Sequence, residues 1–265
     1  MSKAPPDTPP PKIEINEGTS IPLKSDRVLF TAWELSLGLA IITLVVLCWR
    51  RPDPYWNIVK FLPDGIWVTV QVTLYTLPCA LVTGLLAGLG RVSPVRGINL
   101  VASMYVEIVR GVPLLVQLFY IYYALAKFFT LPDIVSAVIA LSFCYGAYLA
   151  EAIRAGIESV DKGQVEASRS LGFSSGQTMR WVVLPQAWRT ILPPVGNEFI
   201  ALLKDSSLVS VISVADMMRR GREYAATSFE YFETYTVIAL VYLIMTLLLS
   251  RGVGILEERY GRHTR

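Results

Sequence analysis

The sequence has 265 residues and a formal net charge of +3, with 53% of its residues hydrophobic and 17% charged. A soluble domain carries about 25% charged residues, so this chain is too apolar for that class, and its slight, scattered basicity excludes a nucleic-acid surface. A single histidine, His263, excludes a histidine-based metal site or a His-dependent triad, and Cys48, Cys79 and Cys144 lie inside apolar blocks as buried free thiols would.

The first 30 residues hold six prolines and eight charges of both signs. Such a stretch buries too little surface to fold, so residues 1–29 read as a disordered cytoplasmic tail. It does not read as a cleavable signal peptide, because the first apolar run starts only near Phe30, after acidic and Pro-rich sequence. Six apolar blocks follow, at roughly 30–49, 65–90, 99–126, 134–157, 193–215 and 231–250. About 20 apolar residues cross the ~30 Å hydrocarbon layer, so each block is predicted to be a transmembrane helix. Trp49, the Tyr120, Tyr122 and Tyr123 group, and Tyr231 with Tyr235 fit as anchors at headgroup level. In the second block Gly84 and Gly88 form G-x-x-x-G, a spacing that lets another helix approach closely.

In the third block Glu107 and Arg110 stand three apart on one helix face. They form either a mutual ion pair or part of a pathway, since a charge inside the bilayer faces protein or water. Pro113 is predicted to kink the helix beside them and free backbone groups. Gln117 and Glu198 are further candidates for lining a pathway. The fifth block carries Asn197, Glu198, Lys204 and Asp205, a polarity that implies a water-lined or partner-lined helix. Lys204 and Asp205 either gate the pathway or brace two subunits.

The longest polar stretch between blocks is the cytoplasmic loop 158–190. Asp161 with Gln164 three residues on predicts a capped helix start, and Gly172 a left-handed helix end. Ser174 with Gln177 repeats the start signal. The second helix is expected to pass Met179, Trp181 and Val183 and to bend or end at Pro185. The product is a helix–turn–helix under the membrane whose exposed Val165, Leu171, Phe173 and Val182 suit a partner surface.

With six spans and both termini inside, the cytoplasmic pieces hold 4, 2, 5 and 4 Lys/Arg and the outer pieces 3, 1 and 3. The positive-inside rule favours that arrangement, although Arg50 and Arg51 then sit at the outer end of the first span. Gly172-Phe173-Ser174-Ser175-Gly176 matches G-x-S-x-G, but no strand precedes Ser174 and no histidine is near, so a nucleophile elbow is rejected. No G-x-x-x-x-G-K-[S/T] occurs, so the chain lacks a phosphate loop.

Several ordered motifs carry a family resemblance. Glu166-Ala167-Ser168, Gly172, Val182 and Leu184-Pro185 resemble the E-A-A-x-x-x-G…I-x-L-P loop of ABC-importer permeases, with Ser168 and Val182 departing by small changes. Arg110-Gly111-Val112-Pro113-Leu114-Leu115-Val116-Gln117, the run Ala147 to Glu151 with Arg154-Ala155-Gly156, and the stretch Leu192 to Leu208 are similar to the polar amino acid branch, the histidine, glutamine and arginine permeases. The resemblance covers about 64–260. It implies an all-α integral membrane fold: a five-span importer permease core plus one extra N-terminal transmembrane helix at 30–49. It also implies a multi-pass subunit of the bacterial plasma membrane that is not itself an enzyme. Two such subunits, identical or paralogous, would form the pathway and dock on cytoplasmic ABC ATPase subunits through Glu166, Ala167, Ser168 and Gly172. An extracytoplasmic binding protein would deliver the amino acid. The resemblance implies no cofactor in this chain, ATP and Mg belonging to the ATPase. An ion-coupled secondary transporter or channel is the alternative, which inverted repeats would favour; the two halves show no convincing match.

Overall fold

The structure is a computed structural model that describes residues 31–261, so the expectation for the tail at 1–29 lies outside the described residues. Among these residues every regular element is helical. The order is α1 (Ala32–Arg50), α2 (Pro52–Phe61), α3 (Pro63–Arg91), α4 (Arg96–Gly111), α5 (Leu114–Ala126), α6 (Asp133–Glu158), α7 (Lys162–Ser170) and α8 (Ser175–Thr178). A π turn (Met179–Val183), α9 (Leu184–Asp205), a 3-10 stretch (Ser206–Ile212), α10 (Met217–Ser228) and α11 (Tyr231–Gly261) complete it.

α6 is the hub. Its buried face is built from small residues, among them Ala137, Ala140, Gly146, Ala147 and Ala150, and the G-x-x-x-G face of α3 packs directly on it. A methyl added at Gly84 would come within 2.6 Å of Leu149 Cβ, and one at Gly88 within 2.9 Å of Ile153 Cβ and 3.0 Å of the Ala150 carbonyl. In lipid, burying apolar surface between helices gains little, so close backbone packing of this kind holds spans together. Val72, Ala80, Leu118, Leu141, Leu149, Leu202 and Ile212 fill the centre where α3, α5, α6, α9 and the 3-10 stretch meet.

α1 begins with the reciprocal cap of Thr31 and Glu34 and lies antiparallel on α11. Trp33 Nε1 near its start donates to the Leu247 carbonyl at 2.7 Å, while Leu44, Leu47 and Cys48 near its end pack with Tyr235, Val241 and Met245. The start of α1 thus stands beside the later part of α11. Its remaining faces, with Leu35, Leu39, Ile42 and Val46, are exposed apolar surface.

Four expectations are corrected. The third block is two helices and not one: α4 and α5 meet at 111°, a sharp break at the kink expected of Pro113, because Gly111 ends one helix and Pro113, which lacks an N–H, precedes the next. The fifth helix starts at Leu184, well before 193. Among the described residues four helices (α1, α3, α6 and α11) are long and apolar enough to cross a membrane, and five spans result if the bent α4–α5 pair counts as one; α9 has 22 residues but contains Pro193, Pro194 and its charges. Finally, Cys144 is buried but Cys48 is half-buried and Cys79 exposed. The sequence pattern also gave no sign of α2 and α10, two short helices that bury Tyr55, Ile58 and Met217 against α11.

Candidate functional site: a hook under the bundle and a charged line through it

Two of the candidate residue groups assemble into sites. The first is the hook of α7 and α8. Asp161 caps α7 through Gly163 N at 2.7 Å, not through the expected exchange with Gln164, whose side chain does not bond back. The other end is a Schellman closure: Gly172 N donates to the Arg169 carbonyl at 3.0 Å and Phe173 N to the Ser168 carbonyl at 3.2 Å. That geometry needs the left-handed backbone of Gly172, φ +86°. Ser174 and Gln177 form the predicted capping box, with Gln177 N donating to Ser174 Oγ at 3.3 Å and Ser174 N to Gln177 Oε1 at 2.8 Å.

Ser168 does more than replace a methyl. Its hydroxyl is buried between the two arms, donating to the Val165 carbonyl at 2.8 Å and hydrogen-bonded to Thr178 Oγ1 at 3.0 Å. Glu166, Ala167, Gly172 and Phe173 remain exposed, and Leu171 stands 79% exposed at the tip. Val165, expected in the exposed patch, is instead half-buried against Ile153, Ile157 and Met179, because the first arm turns that edge toward α6. Val182 is half-buried as well.

Pro185 neither bends the second arm away nor ends it. The π turn shifts the hydrogen-bond ladder by one residue, so that Leu184 N donates to the Met179 carbonyl, and the helix runs on as α9. Hook and fifth helix are one rod.

The second site is a line of charged and phenolic side chains on α4, α6 and α9. At the α4–α5 break, Gln117 Nε2 donates to the carbonyls of Val109 at 2.6 Å and Val112 at 2.7 Å, and Cys144 Sγ donates to Gln117 Oε1 at 3.1 Å. Gln117 is 7% exposed: it satisfies the backbone groups that the break frees, which the bilayer interior requires. Arg110, at the end of α4, does not pair with Glu107. Its Nη1 lies 3.6 Å from Glu151 Oε2 and its Cζ 5.9 Å from the Tyr148 ring centre. Glu107 points outward and makes no ion pair. The reason is reach: Glu151 on the facing helix α6 already gathers Arg91 and Arg154, the latter at 2.5 Å. Arg154 also bridges to Glu158.

Further along, Tyr145 Oη donates to Asp205 Oδ2 at 2.8 Å. Glu198 is half-buried within electrostatic range of both Asp205 and Arg110. Lys204 is exposed and makes no ion pair in the described chain. The structure therefore brings Arg110, Glu198 and Asp205 into one neighbourhood, leaves Glu107 and Lys204 at its outside, and uses Gln117 as a brace. Glu151, Tyr145 and Tyr148 are members that sequence reasoning did not select. The signal was present in Glu151, Arg154 and Glu158, spaced three and four apart at the end of an apolar block.

Comparison with known proteins identifies the family. Residues 80–262 match the family model described as binding-protein-dependent transport system inner membrane component. The chain is 40% identical to the L-cystine transport system permease protein TcyB of Bacillus subtilis (strain 168) over 231 residues, covering 86% of this chain and 95% of that protein. It is 39% identical to the glutamine transport system permease protein GlnP of Escherichia coli (strain K12) over 207 residues, 77% of this chain and 94% of that one. Among solved structures, an amino acid ABC transporter crystallised with histidines is 42% identical, with a TM-score of 0.72 over 77% of this chain and 95% of that one. The inward-facing MetNI methionine ABC transporter (CY5 native crystal form), at 19% identity, a TM-score of 0.66 and 79% and 99% coverage, shares the fold.

Proposed function

This chain belongs to the family of binding-protein-dependent transport system inner membrane components, and we propose that it is the permease subunit of an ATP-driven importer of a polar amino acid. Like its relatives it is a transport subunit and not a catalytic one. Two copies, or this chain and a paralogue, would enclose the pathway between them. A binding protein would deliver substrate at one face, and ATPase subunits holding ATP and Mg would dock at the other, on Glu166, Ala167, Ser168, Gly172 and the exposed Leu171. We place the hook and both termini on the cytoplasmic side. The Lys/Arg distribution and the antiparallel seating of α1 on α11 support that orientation.

The observation that carries the reading is the continuity between the hook and the charged helices. The second arm passes through the π turn into α9, which bears Glu198, Lys204 and Asp205. The first arm joins through Val165, which packs against the cluster that Ile153 and Ile157 of α6 share with Val183, Ala187 and Ile191; α6 bears Tyr145, Tyr148 and Glu151. A push at the hook would reach α9 along the continuous helix and α6 through that shared cluster. The charges fit the cargo class: an amino acid zwitterion carries one charge of each sign, and Arg110 stands within range of Glu198. Such groups lie inside a membrane only where they meet water, substrate or one another.

Reconstitution tests it. In proteoliposomes, uptake of a radiolabelled polar amino acid should require ATP, the ATPase subunit and the binding protein, and binding protein should stimulate hydrolysis. Uptake driven by an ion gradient with no ATPase bound would overturn the assignment.

A further inference from the structure

We propose that the elbow between α1 and α2 binds the phosphate of an anionic phospholipid. Two cations stand at the turn and a third reaches back along α2. Arg50 closes α1, Arg51 is the turning residue (φ −136°, ψ 77°), and Lys60, in the last turn of α2, lies over the ring of Trp56 near its start. All three are exposed. The ion pairs of the described residues use other cations, namely Arg91, Arg110, Arg154, Arg219 and Arg220. The acids close in sequence are Asp53 and Asp64, and Asp53 Oδ1 is occupied by Asn57 Nδ2 at 2.9 Å. Arg50, Arg51 and Lys60 thus make no ion pair among the described residues, and they follow the first span, where the Lys/Arg distribution along the chain least favours them.

What surrounds them selects the ligand. Trp49 is 80% exposed and Trp56 49% exposed. Lys60 Nζ sits 5.4 Å from the Trp56 ring centre. The exposed apolar side chains of α1 lead up to Trp49, so the elbow begins where that lipid-facing surface ends. Indoles prefer that level, and it is the level of lipid phosphates. A protein partner would account for the cations but not for aromatics continuous with an acyl-chain surface. The opposite side of α2 is fixed by Tyr55, Ile58 and Leu62 against Met217, Val237 and Ile238, so the cations are held at a set position on the bundle. A bound phospholipid would add to the contacts by which α1 is held against α2 and α11. The inference does not depend on the cargo or on which side the elbow faces.

The test uses the full chain in nanodiscs of phosphatidylcholine mixed with phosphatidylglycerol, released into a mass spectrometer under native conditions. Retained lipid should be enriched in phosphatidylglycerol. Each cation near an anionic lipid surface contributes about a fivefold preference, so R50Q/R51Q/K60Q should lose the enrichment and R50K/R51K should keep it. Equal retention of the two lipids, or full enrichment in the triple variant, overturns the proposal. A second measurement needs no substitution: brominated phosphatidylglycerol should quench tryptophan fluorescence more than brominated phosphatidylcholine, and equal quenching overturns it too. If the triple variant keeps its lipid but loses stimulation by binding protein, the elbow is a protein-docking surface and the lipid assignment falls.

Discussion

The hook and the α4–α5 break are both sharp turns between helices, yet they differ in how far their bonds reach along the sequence. In the hook every closing bond joins residues within ten positions of one another: Gly172 to Arg169, Ser174 to Gln177, Ser168 to Thr178. At the break Gln117 closes the nearby carbonyls of Val109 and Val112, but its amide is itself held by Cys144, 27 residues away, and Arg110 is met by Glu151. A turn solved locally is a module that can sit outside the bundle and meet a partner. One solved by distant residues is part of the bundle and moves only when the bundle does.

Breaking the local turn should have the largest effect. At Gly172 a new Cβ meets nothing within 4 Å, and φ is +86°, so the penalty there is conformational and not steric. Gly172→Val puts a β-branched residue where the left-handed backbone costs at least 1–2 kcal/mol. Transport and ATPase association should fall by an order of magnitude or more while membrane insertion persists. Gly172→Asn, which tolerates this backbone, should keep most activity. Equal behaviour of the two variants would show that the hook's turn does not transmit coupling. Lys204→Ala tests the other end of the same rod. It removes a charge with no ion pair among the described residues, so uptake should drop about tenfold while complex formation, scored by co-purification, stays near wild type. Wild-type uptake would place Lys204 outside the pathway.

The charged line should respond differently. Glu151→Gln leaves Arg91, Arg110 and Arg154 without their shared carboxylate. Hydrogen bonds to charged groups contribute about 1.5–3 kcal/mol, so both thermal stability in detergent and transport should fall together. Gln117→Leu strips the partner from two carbonyls at the break and should cost about 1–3 kcal/mol, read as a lower unfolding midpoint. Gln117→Glu, which offers no N–H₂ when ionised, should be no better. If Gln117→Leu unfolds like wild type, water has taken over the carbonyls and the break is wetter than its packing implies.

This difference in range is also what made one site legible in the sequence and the other not. Caps, left-handed glycines and the G-x-x-x-G face are statements about neighbours, and the structure keeps Ser174–Gln177, Gly172 and Gly84–Gly88 as expected. Glu107 with Arg110 looked like a pair by the same local logic, but spacing on one helix says nothing about a facing helix. Glu151, 41 residues beyond Arg110, lies closer to Arg110 in space than the sequence could tell. Pro185 misled in the opposite way. A proline predicts a missing bond, yet a π turn absorbs the loss by re-registering the ladder, and the choice between breaking and re-registering depends on whether the helix beyond has a place in the bundle. Residues 52–61 and 217–228 are short helices because α11 and α3 give their apolar edges a surface, a condition that lies outside their own sequence.

The smallest effect is the sharpest check on the hook's independence. Ser168 stands at the second alanine of the E-A-A-x-x-x-G pattern that the loop resembles, and its hydroxyl joins the two arms through Thr178, both side chains being buried. Ser168→Ala removes that bond and leaves the Thr178 hydroxyl buried without it, a loss of about 1 kcal/mol. The Schellman closure and the Ser174 cap do not involve the hydroxyl, so the fold of each arm should persist. What should change is the angle at which the arms are held. Faster amide exchange at Arg169 to Gln177, with unchanged exchange along α6, is the expected result. Slower transport without loss of ATPase binding should accompany it. Exchange that rises along α6 as well would mean that the hook is not closed on itself, and that its bonds belong to the bundle as those of Gln117 do.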